Sequence, residues 1–430
     1  MRSNLNKFSS TIRSSRFTHS SFSTKLLLLL RTFSKWPGNP YSLLVLSKSD
    51  MQEVHAQSAK YTLYKRFGGY AFWIKLMLTL AWPIRLSVLS LKAISRFGDI
   101  VQAKLHLSKR KQFLVLYWLG IRFGIAPIDA YRFQLLVPSN QAHVRNYLYT
   151  HEANGLFFRL NKNKIAPEID DKRLFADLGT KANIAVPATL AYSIQGRIVQ
   201  TTDQWPSGDL FSKPCVGSRG EGCIWWRSGP SGTYYRKDGR QISRSQLLNL
   251  LCFIYQDRDW LIQPALYNHS AIEDLGNGSL VCARLITACL PNHASELILG
   301  ILKIPINNSH INNHGIGSAI DFSTGTIGKG YSYRPFEQPY EHHPNTHAPI
   351  CGRLIPNWSS TMNLAVSAHR LFPDTVFIAW DIGITCDGPV LLEANWCWDT
   401  VMPQLIANKP LGHTKWIEYC HIHLANITTQ

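Results

Sequence analysis

The sequence predicts an α+β fold, helices mixed with mostly antiparallel strands, preceded by a mainly helical and strongly basic N-terminal region. Three observations predict it. From about residue 155 short apolar runs alternate with turn signals and a few helical stretches. Between residues 61 and 150 apolar side chains recur at helical spacing, notably through Tyr61–Phe72 and Phe113–Phe123. Charge also segregates. The 45 Lys+Arg and 27 Asp+Glu leave a formal net charge of +18, and residues 1–150 hold 22 of the bases but 4 of the acids. Residues 151–430 hold 23 of each, so the whole excess lies in the first third. This excludes a fold-wide basic surface of the histone or ribosomal kind and points to two regions with different jobs. At 45% hydrophobic the chain can bury a core, which excludes wholesale disorder.

Residues 1–60 read as a basic, Ser-rich tail and linker. The first 49 contain no acid and 8 Lys/Arg, a composition shared by organellar transit peptides and by disordered basic tails. Residues 61–150 read as the helical basic region. A helix is expected to begin near Pro83 and stop at Gly98, with Arg85, Lys92 and Arg96 in one stripe. Ala71–Leu91 is not read as a membrane span, because Lys75, Pro83 and Arg85 interrupt it and about 20 apolar residues are needed to cross. The striped helix suits either an anionic bilayer surface or ordinary packing with a solvated edge. The 9 cysteines show no C-x-x-C spacing, which removes zinc ribbons and thioredoxin-like sites, and their odd number in a long chain argues against a disulfide framework.

Downstream, Arg173–Thr180 reads as a helix and Val186–Tyr192 as a strand bounded by Pro187. Phe211–Pro214 and Cys223–Arg227 read as strands around a Gly-rich loop. Asp238-Gly239 is a hairpin turn signal. Ser245–Tyr255 reads as a helix, Trp260–Gln263, Leu280–Ala288 and Glu296–Ile304 as strands, and Leu364–Leu371 as a helix ended by Pro373. Val376–Thr385 and Val390–Asn395 read as a hairpin closed at Cys386-Asp387-Gly388-Pro389.

That hairpin carries the strongest chemical signal. If its turn sits at Asp387-Gly388, ladder geometry sets Asp381 opposite Glu393, and Asn395 shares the Glu393 face. Two facing carboxylates repel unless something neutralises them, and a hard cation such as Mg²⁺ favours oxygen donors. An exposed acidic hairpin is the competing reading, but Phe377, Ile378, Trp380, Ile382, Leu391, Leu392 and Trp396 are too apolar for one. A second signal is Lys213-Pro214 followed by Gly217, Ser218, Gly220 and Gly222, a loop whose backbone N–H groups could approach phosphate oxygens. Alone it is no more than a Gly-rich hairpin loop. Asp171-Lys172 opens a helix. Arg284 and Lys303 lie on adjacent apolar strands, where a cation either finds an anionic partner or snorkels to the sheet edge.

The order of these parts resembles an ATP-grasp domain from about residue 160 to 420, and most closely the sugar-transfer-associated subgroup. Asp171-Lys172-Arg173-Leu174-Phe175, His343-Pro344, Ile355-Pro356 and the run from Trp380-Asp381 to Glu393-Ala394-Asn395 carry the subgroup resemblance, with Ile121–Tyr131 as a familiar lead-in. The resemblance implies the ATP-grasp fold, two α+β subdomains gripping ATP, over residues 151–425. It implies that Lys172, Lys213 and the Gly217–Gly222 loop, with Ser218 and Gly220, hold phosphates, that Gln263 and Leu266 lie at the adenine-binding segment, and that Asp381, Glu393 and Asn395 hold Mg²⁺. Arg284, Lys303 and Asn313 would sit near the γ-phosphate and acyl intermediate. Gln263 stands where many relatives have a carboxylate, and Asn312–Gly317 is a loose form of the family pattern.

The activity implied is an ATP- and Mg²⁺-dependent ligase that activates a carboxylate as an acyl phosphate and joins it to an amine or similar nucleophile. Its setting would be cell-surface polysaccharide or glycoconjugate synthesis, with a small-molecule or glycan acceptor. Residues 1–150 would dock a cytoplasmic enzyme on an anionic inner membrane face, and no nucleic acid partner is expected. Two readings stay open: an ATP-dependent phosphotransferase on a sugar-related substrate, and a non-catalytic basic module for membrane, nucleic acid or a glycosyltransferase partner. The local cluster His342, His343 and His347 is either an acceptor contact or a solvated loop.

Overall fold

Alternating apolar residues and tight turns build two antiparallel sheets in the middle of the chain. The computed structural model describes residues 50–161, 165–217, 220–236, 238–290, 294–306 and 315–428. Two compact units form: one from residues 164–330 and 340–396, the other from the N-terminal helices through 163 together with 331–339 and 397–430.

In the helical unit the main elements are α1 (Asp50–Phe67), α2 (Ala71–Leu105), α3 (Lys109–Phe123) and α4 (Thr150–Leu160). Helix therefore begins at Asp50, inside the stretch read as tail and linker, and residues 1–49, the acid-free part of that stretch, lie outside the described residues. α1 is tied to α4 by His55, whose Nδ1 lies 2.9 Å from Glu152 Oε1 and whose Nε2 lies 2.9 Å from the Arg145 carbonyl. α3 starts at Ser108, whose Oγ accepts from Lys111 N, and ends at Gly124 with φ 71°, the left-handed C-cap that glycine adopts without strain.

The expected helix ends at Pro83 and Gly98 are not ends. α2 runs unbroken through both. A proline inside a helix forfeits one backbone hydrogen bond, but Ile74, Leu78, Trp82, Leu86, Ala93, Ile94 and Val101 form a continuous buried stripe that outweighs the loss. Trp82 Nε1 donates to the Gly120 carbonyl at 2.8 Å, and Gly120 lets α3 come close, since a Cβ there would lie 2.4 Å from Leu86. Phe72–Leu105 is consequently long and apolar enough to cross a membrane by length and composition, with a mean hydropathy of 1.5 in its best window, of which 28% is buried.

The other unit opens with α5 (Lys172–Lys181) and continues through β1 (Ala191–Ile194), β2 (Arg197–Gln200), β3 (Leu210–Pro214), β4 (Ile224–Ser228), β5 (Tyr234–Tyr235), β6 (Gln241–Ile242), α6 (Arg244–Ile254) and β7 (Trp260–Pro264). These strands form a seven-stranded sheet in the order β2-β1-β7-β3-β4-β5-β6. Then follow β8 (Cys282–Cys289), β9 (Ser295–Ile304), β10 (Ile316–Ile320), β11 (Ile327–Tyr331), α7 (Trp358–His369), β12 (Phe377–Thr385) and β13 (Gly388–Asn395), which give a six-stranded sheet ordered β11-β10-β9-β8-β12-β13. Its apolar face (Ala283, Leu285, Leu302, Ile304, Ile378, Trp380, Ile382, Leu391) packs with Ala365 and Ala368 of α7 into one core. The seven-stranded sheet has its own core, with Leu210, Trp226, Trp260 and Ile262 against Leu247, Leu248 and Leu251 of α6. Each sheet thus packs one face on its own helix. The α+β class is as the sequence predicts.

Candidate active site

The centre of the site is set by the β12–β13 hairpin. Its turn is Cys386-Asp387, with Thr385 opposite Gly388, one residue before the expected Asp387-Gly388; that register alone would set Asp381 opposite Leu392, and a one-residue shift of the ladder brings it opposite Glu393. A bulge follows, since Ile382 pairs with Leu391 and Leu392 is the extra residue. The bulge ends the ladder slip just past the carboxylates, so Glu393 and Asn395 stay on the Asp381 face while Leu391 and Ala394 enter the core. Asn395 Nδ2 donates to Glu393 Oε1 at 3.3 Å.

β8 lies on the other side of β12, and its Arg284 is the register partner of Asp381. Arg284 Nε and Nη2 donate to the two carboxylate oxygens, each at 2.7 Å. Lys303, on the next strand β9, adds its Nζ at 3.3 Å from Oδ2. Arg284 and Lys303 therefore have an anionic partner, and it is Asp381. Burial by itself would raise the Asp381 pKa. The Arg284 guanidinium and Lys303 ammonium overcome that and hold the carboxyl well below the usual range. Removing one member of a buried ionic group leaves the others uncompensated, at about 3–5 kcal/mol. Asp381→Asn is accordingly expected to destabilise the protein by about 3 kcal/mol, read as a lowered urea midpoint at unchanged slope. An unchanged midpoint would mean that the cluster contributes nothing to folding.

The second set of cations comes from the other side of this unit. Asp171 caps α5, accepting from Arg173 N and Leu174 N, so Lys172 is fixed in the first turn. Its backbone N donates to the Cys215 carbonyl at 2.9 Å and its Nζ to the Gly217 carbonyl at 2.7 Å. The same Nζ lies 3.8 Å from Glu393 Oε2, which brings it to the carboxylate face of the six-stranded sheet. Lys213 sits on β3 opposite Leu261 of β7 and is buried. Burial, reinforced by the nearby Lys172 ammonium and opposed by Glu393, pushes its pKa down to about 8. A buried ammonium with a depressed pKa and no hydrogen-bond or ion-pair partner among the described residues is suited to receive an anion. The loop after β3 bends at Gly220 (φ 65°) and Gly222 (φ 79°), and a Cβ on Gly222 would lie 3.0 Å from Pro214. The Gly222 carbonyl accepts from the Tyr255 hydroxyl, which ties the loop end to α6.

The remaining sequence candidates divide. Gln263 is buried, and its Nε2 donates to the Pro187 carbonyl at 3.0 Å, so that amide N–H is committed to the backbone. Leu266 is half-buried beyond the end of β7. Ser218 and Asn313 lie outside the described residues. Of the histidine cluster, His343 is fully buried: its Nδ1 accepts from the Asn345 and Thr346 N–H groups, and its Nε2 donates to the Pro305 carbonyl at 2.7 Å. Both ring nitrogens are engaged by backbone groups, one within the loop and the other on the segment after β9, so His343 is a structural residue and not an acceptor contact.

One group was missed by the sequence reading. Phe211 shares the Lys213 face of β3, is opposite Trp225 on β4, and meets its ring at 6.3 Å. Trp225 meets Tyr267 edge-on at 5.6 Å and donates its Nε1 to Asp209 Oδ2 at 2.7 Å. The period-2 spacing of Phe211 and Lys213 was the available signal.

As a holder of a divalent cation the site offers oxygen atoms from Asp381, Glu393 and Asn395, the donor chemistry of a hard metal. Among the described residues no three His, Cys, Asp or Glu side chains converge as a metal cluster, so the set depends on the Asn395 amide. Glu393 and Asn395 fit most readily. Asp381 keeps lone-pair capacity beside its two bonds from Arg284 and one from Lys303. The residues present therefore fit the ion that the sequence implies.

The profile of the sugar-transfer associated ATP-grasp family matches residues 152–418. No curated protein matches in sequence. Among solved structures the chain is similar to the D-alanine–D-alanine ligase of Helicobacter pylori, at 10% identity and a TM-score of 0.33, covering 59% of this chain and 61% of that one. It is similar to the VanG D-Ala:D-Ser ligase of Enterococcus faecalis at 12% identity and a TM-score of 0.33, covering 60% and 61%. It is also similar to the D-cycloserine synthetase DcsG at 13% identity and a TM-score of 0.33, covering 70% and 81%. The chain thus spans 61% of the length of the first two ligases, and likeness at this level adds nothing to the assignment. The family match extends over well more than half of the chain and contains every cation and carboxylate of the site, and the chain belongs to the sugar-transfer associated ATP-grasp family.

Proposed function

We propose that the protein is an ATP-dependent ligase that activates a carboxylate as an acyl phosphate and joins it to an amine or similar nucleophile. The observation that carries this reading is the arrangement of Lys172, Lys303 and Arg284 around the facing pair Asp381 and Glu393, with the buried Lys213 across from them. Such a mixture of signs on one face is costly unless a polyphosphate and its counter-ion complete it.

Lys172 and Lys213 are suited to grip the α- and β-phosphates, and the N–H groups of the glycine loop to cover them. Phe211 and Trp225 offer apolar rings on the Lys213 face for the purine. Asp381, Glu393 and Asn395 would hold Mg²⁺, which when bound screens charge on the phosphates. In the first step a substrate carboxylate oxygen attacks the γ-phosphorus. An O–P bond forms, the bridging P–O bond to the β-phosphate breaks, and ADP leaves with the electron pair. Arg284 and Lys303 are placed to stabilise charge on the transferring phosphoryl oxygens. In the second step the amine attacks the acyl carbon, loses its proton, and expels inorganic phosphate. No nucleophilic side chain is required, and Cys282, whose thiol burial pushes up to about 12, is a packing residue.

The family description supports an acceptor connected with sugar transfer, and so a glycan or sugar-linked substrate in surface polysaccharide or glycoconjugate synthesis. The test is isotopic. With a panel of carboxylates labelled with ¹⁸O in the carboxyl group, the released phosphate should carry one ¹⁸O when a nucleophile is supplied. A stable phosphorylated product with no second substrate consumed would instead identify a phosphotransferase.

A further inference from the structure

We infer that α2 and α3 dock the protein in the plane of an anionic bilayer, through an apolar strip on the outer side of the helix pair. The inference is independent of the ligase chemistry, since it concerns the helical unit alone. α2 is apolar on two sides. One side is the buried stripe from Ile74 to Val101. The other, Phe72, Trp73, Leu76, Leu80, Ile84, Val88 and Leu91, recurs every three or four residues and faces out, with Leu80 70%, Ile84 74% and Val88 62% exposed. α3 repeats the pattern with Leu114, Trp118 and Ile121 exposed at the same spacing. A helix apolar all round is normally enclosed, and exposed apolar surface of this extent marks an interaction site.

Charge selects the occupant. Lys92 and Arg96 are exposed and lie about 100–160° round the helix from Leu80 and Leu91, as a basic edge flanking the strip, with Arg85 half-buried on the same side. Lys109, Arg110 and Lys111 open α3. Residues 50–150 hold 14 Lys/Arg against 4 acids. A second copy of this chain would bring the same basic edge against itself. An anionic bilayer satisfies both features: acyl chains take Leu, Ile, Val, Phe and Trp side chains, and headgroups take the cations. Lying in the plane also suits α2 better than crossing, because its inner side is already packed on α3 through Trp82, Leu86 and Gly120.

The experiment is vesicle flotation of the full chain with neutral phosphatidylcholine and with mixtures containing phosphatidylglycerol. Binding should require the anionic lipid, weaken with salt, and be released at alkaline pH. Lys92→Gln and Arg96→Gln, at exposed positions, should each weaken it roughly fivefold. Ile84→Ser and Val88→Ser, at positions 74% and 62% exposed, should each weaken it roughly tenfold with circular dichroism and melting unchanged. Absence of vesicle binding, retention after alkaline extraction, or a dimer that these substitutions dissociate would overturn the proposal in favour of no membrane role, a spanning helix or a second copy, respectively.

Discussion

Glu393→Gln is expected to lower ATP turnover about a thousandfold while leaving the fold intact. The substitution is isosteric and keeps an oxygen for the Asn395 amide, so what it removes is one negative charge. Glu393 is half-buried, with Lys172 as a long ion-pair partner at 3.8 Å, and such pairs contribute about 1 kcal/mol or less. The thermal midpoint should therefore barely move. In the proposed reaction the charge matters instead, because without it the site would hold Arg284, Lys303, Lys172 and Lys213 against Asp381 alone and lose an oxygen donor suited to a hard cation. Turnover can be read as ADP release at saturating Mg²⁺. Activity within a few-fold of the parent would remove Glu393 from the chemistry and favour the reading as a non-catalytic binding module.

Lys213→Met is expected to do two opposite things: stabilise the ligand-free protein and weaken nucleotide binding roughly a hundredfold. The sign follows from its pKa. Folding lowers Lys213 from 10.5 to about 8, mainly by burial. Below pH 8 the ammonium is held charged in a place that disfavours charge, at a cost of about 3 kcal/mol. Between 8 and 10.5 the unfolded chain binds more protons than the folded one, so the parent gains stability as pH rises through that window. The methionine, of similar length and no charge, should show its full advantage at pH 7 and lose it by pH 10.5. A residue that costs stability yet is needed for the ligand marks a functional position. If Lys213→Met destabilises the protein at pH 7, the ammonium is a structural partner and its phosphate role falls.

The sequence makes some of this geometry legible and hides the rest, for identifiable reasons. The pairing of Asp381 with Glu393 is legible only in part: the turn falls at Cys386-Asp387, one residue before the Asp387-Gly388 signal, and a bulge at Leu392, which no local pattern announces, restores the alignment. The need of Arg284 and Lys303 for an anion is readable from their apolar neighbours. That the anion is Asp381 is not, because it depends on the order β9-β8-β12-β13, which no local pattern encodes. β10 and β11 carry strand formers only at their ends (Ile316 and Ile320, Ile327 and Tyr331) around Gly, Ser, Ala and Lys, too short a signal to read, and β10 is held by pairing, with Gly317 opposite Lys303. Pro83 as a helix start and Gly98 as a helix stop are sound local signals that a buried stripe of Leu, Ile and Trp overrides. The double-sided apolarity of α2 is visible in the letters, but which side remains uncovered is a property of packing.

The most direct measurement is calorimetric titration of the full chain with a non-hydrolysable ATP analogue, with and without Mg²⁺. One site per chain, tightened by Mg²⁺ and lost in both Lys213→Met and Glu393→Gln, is the result expected. Absence of binding by the parent protein, or binding that neither substitution alters, would contradict a nucleotide site on this face.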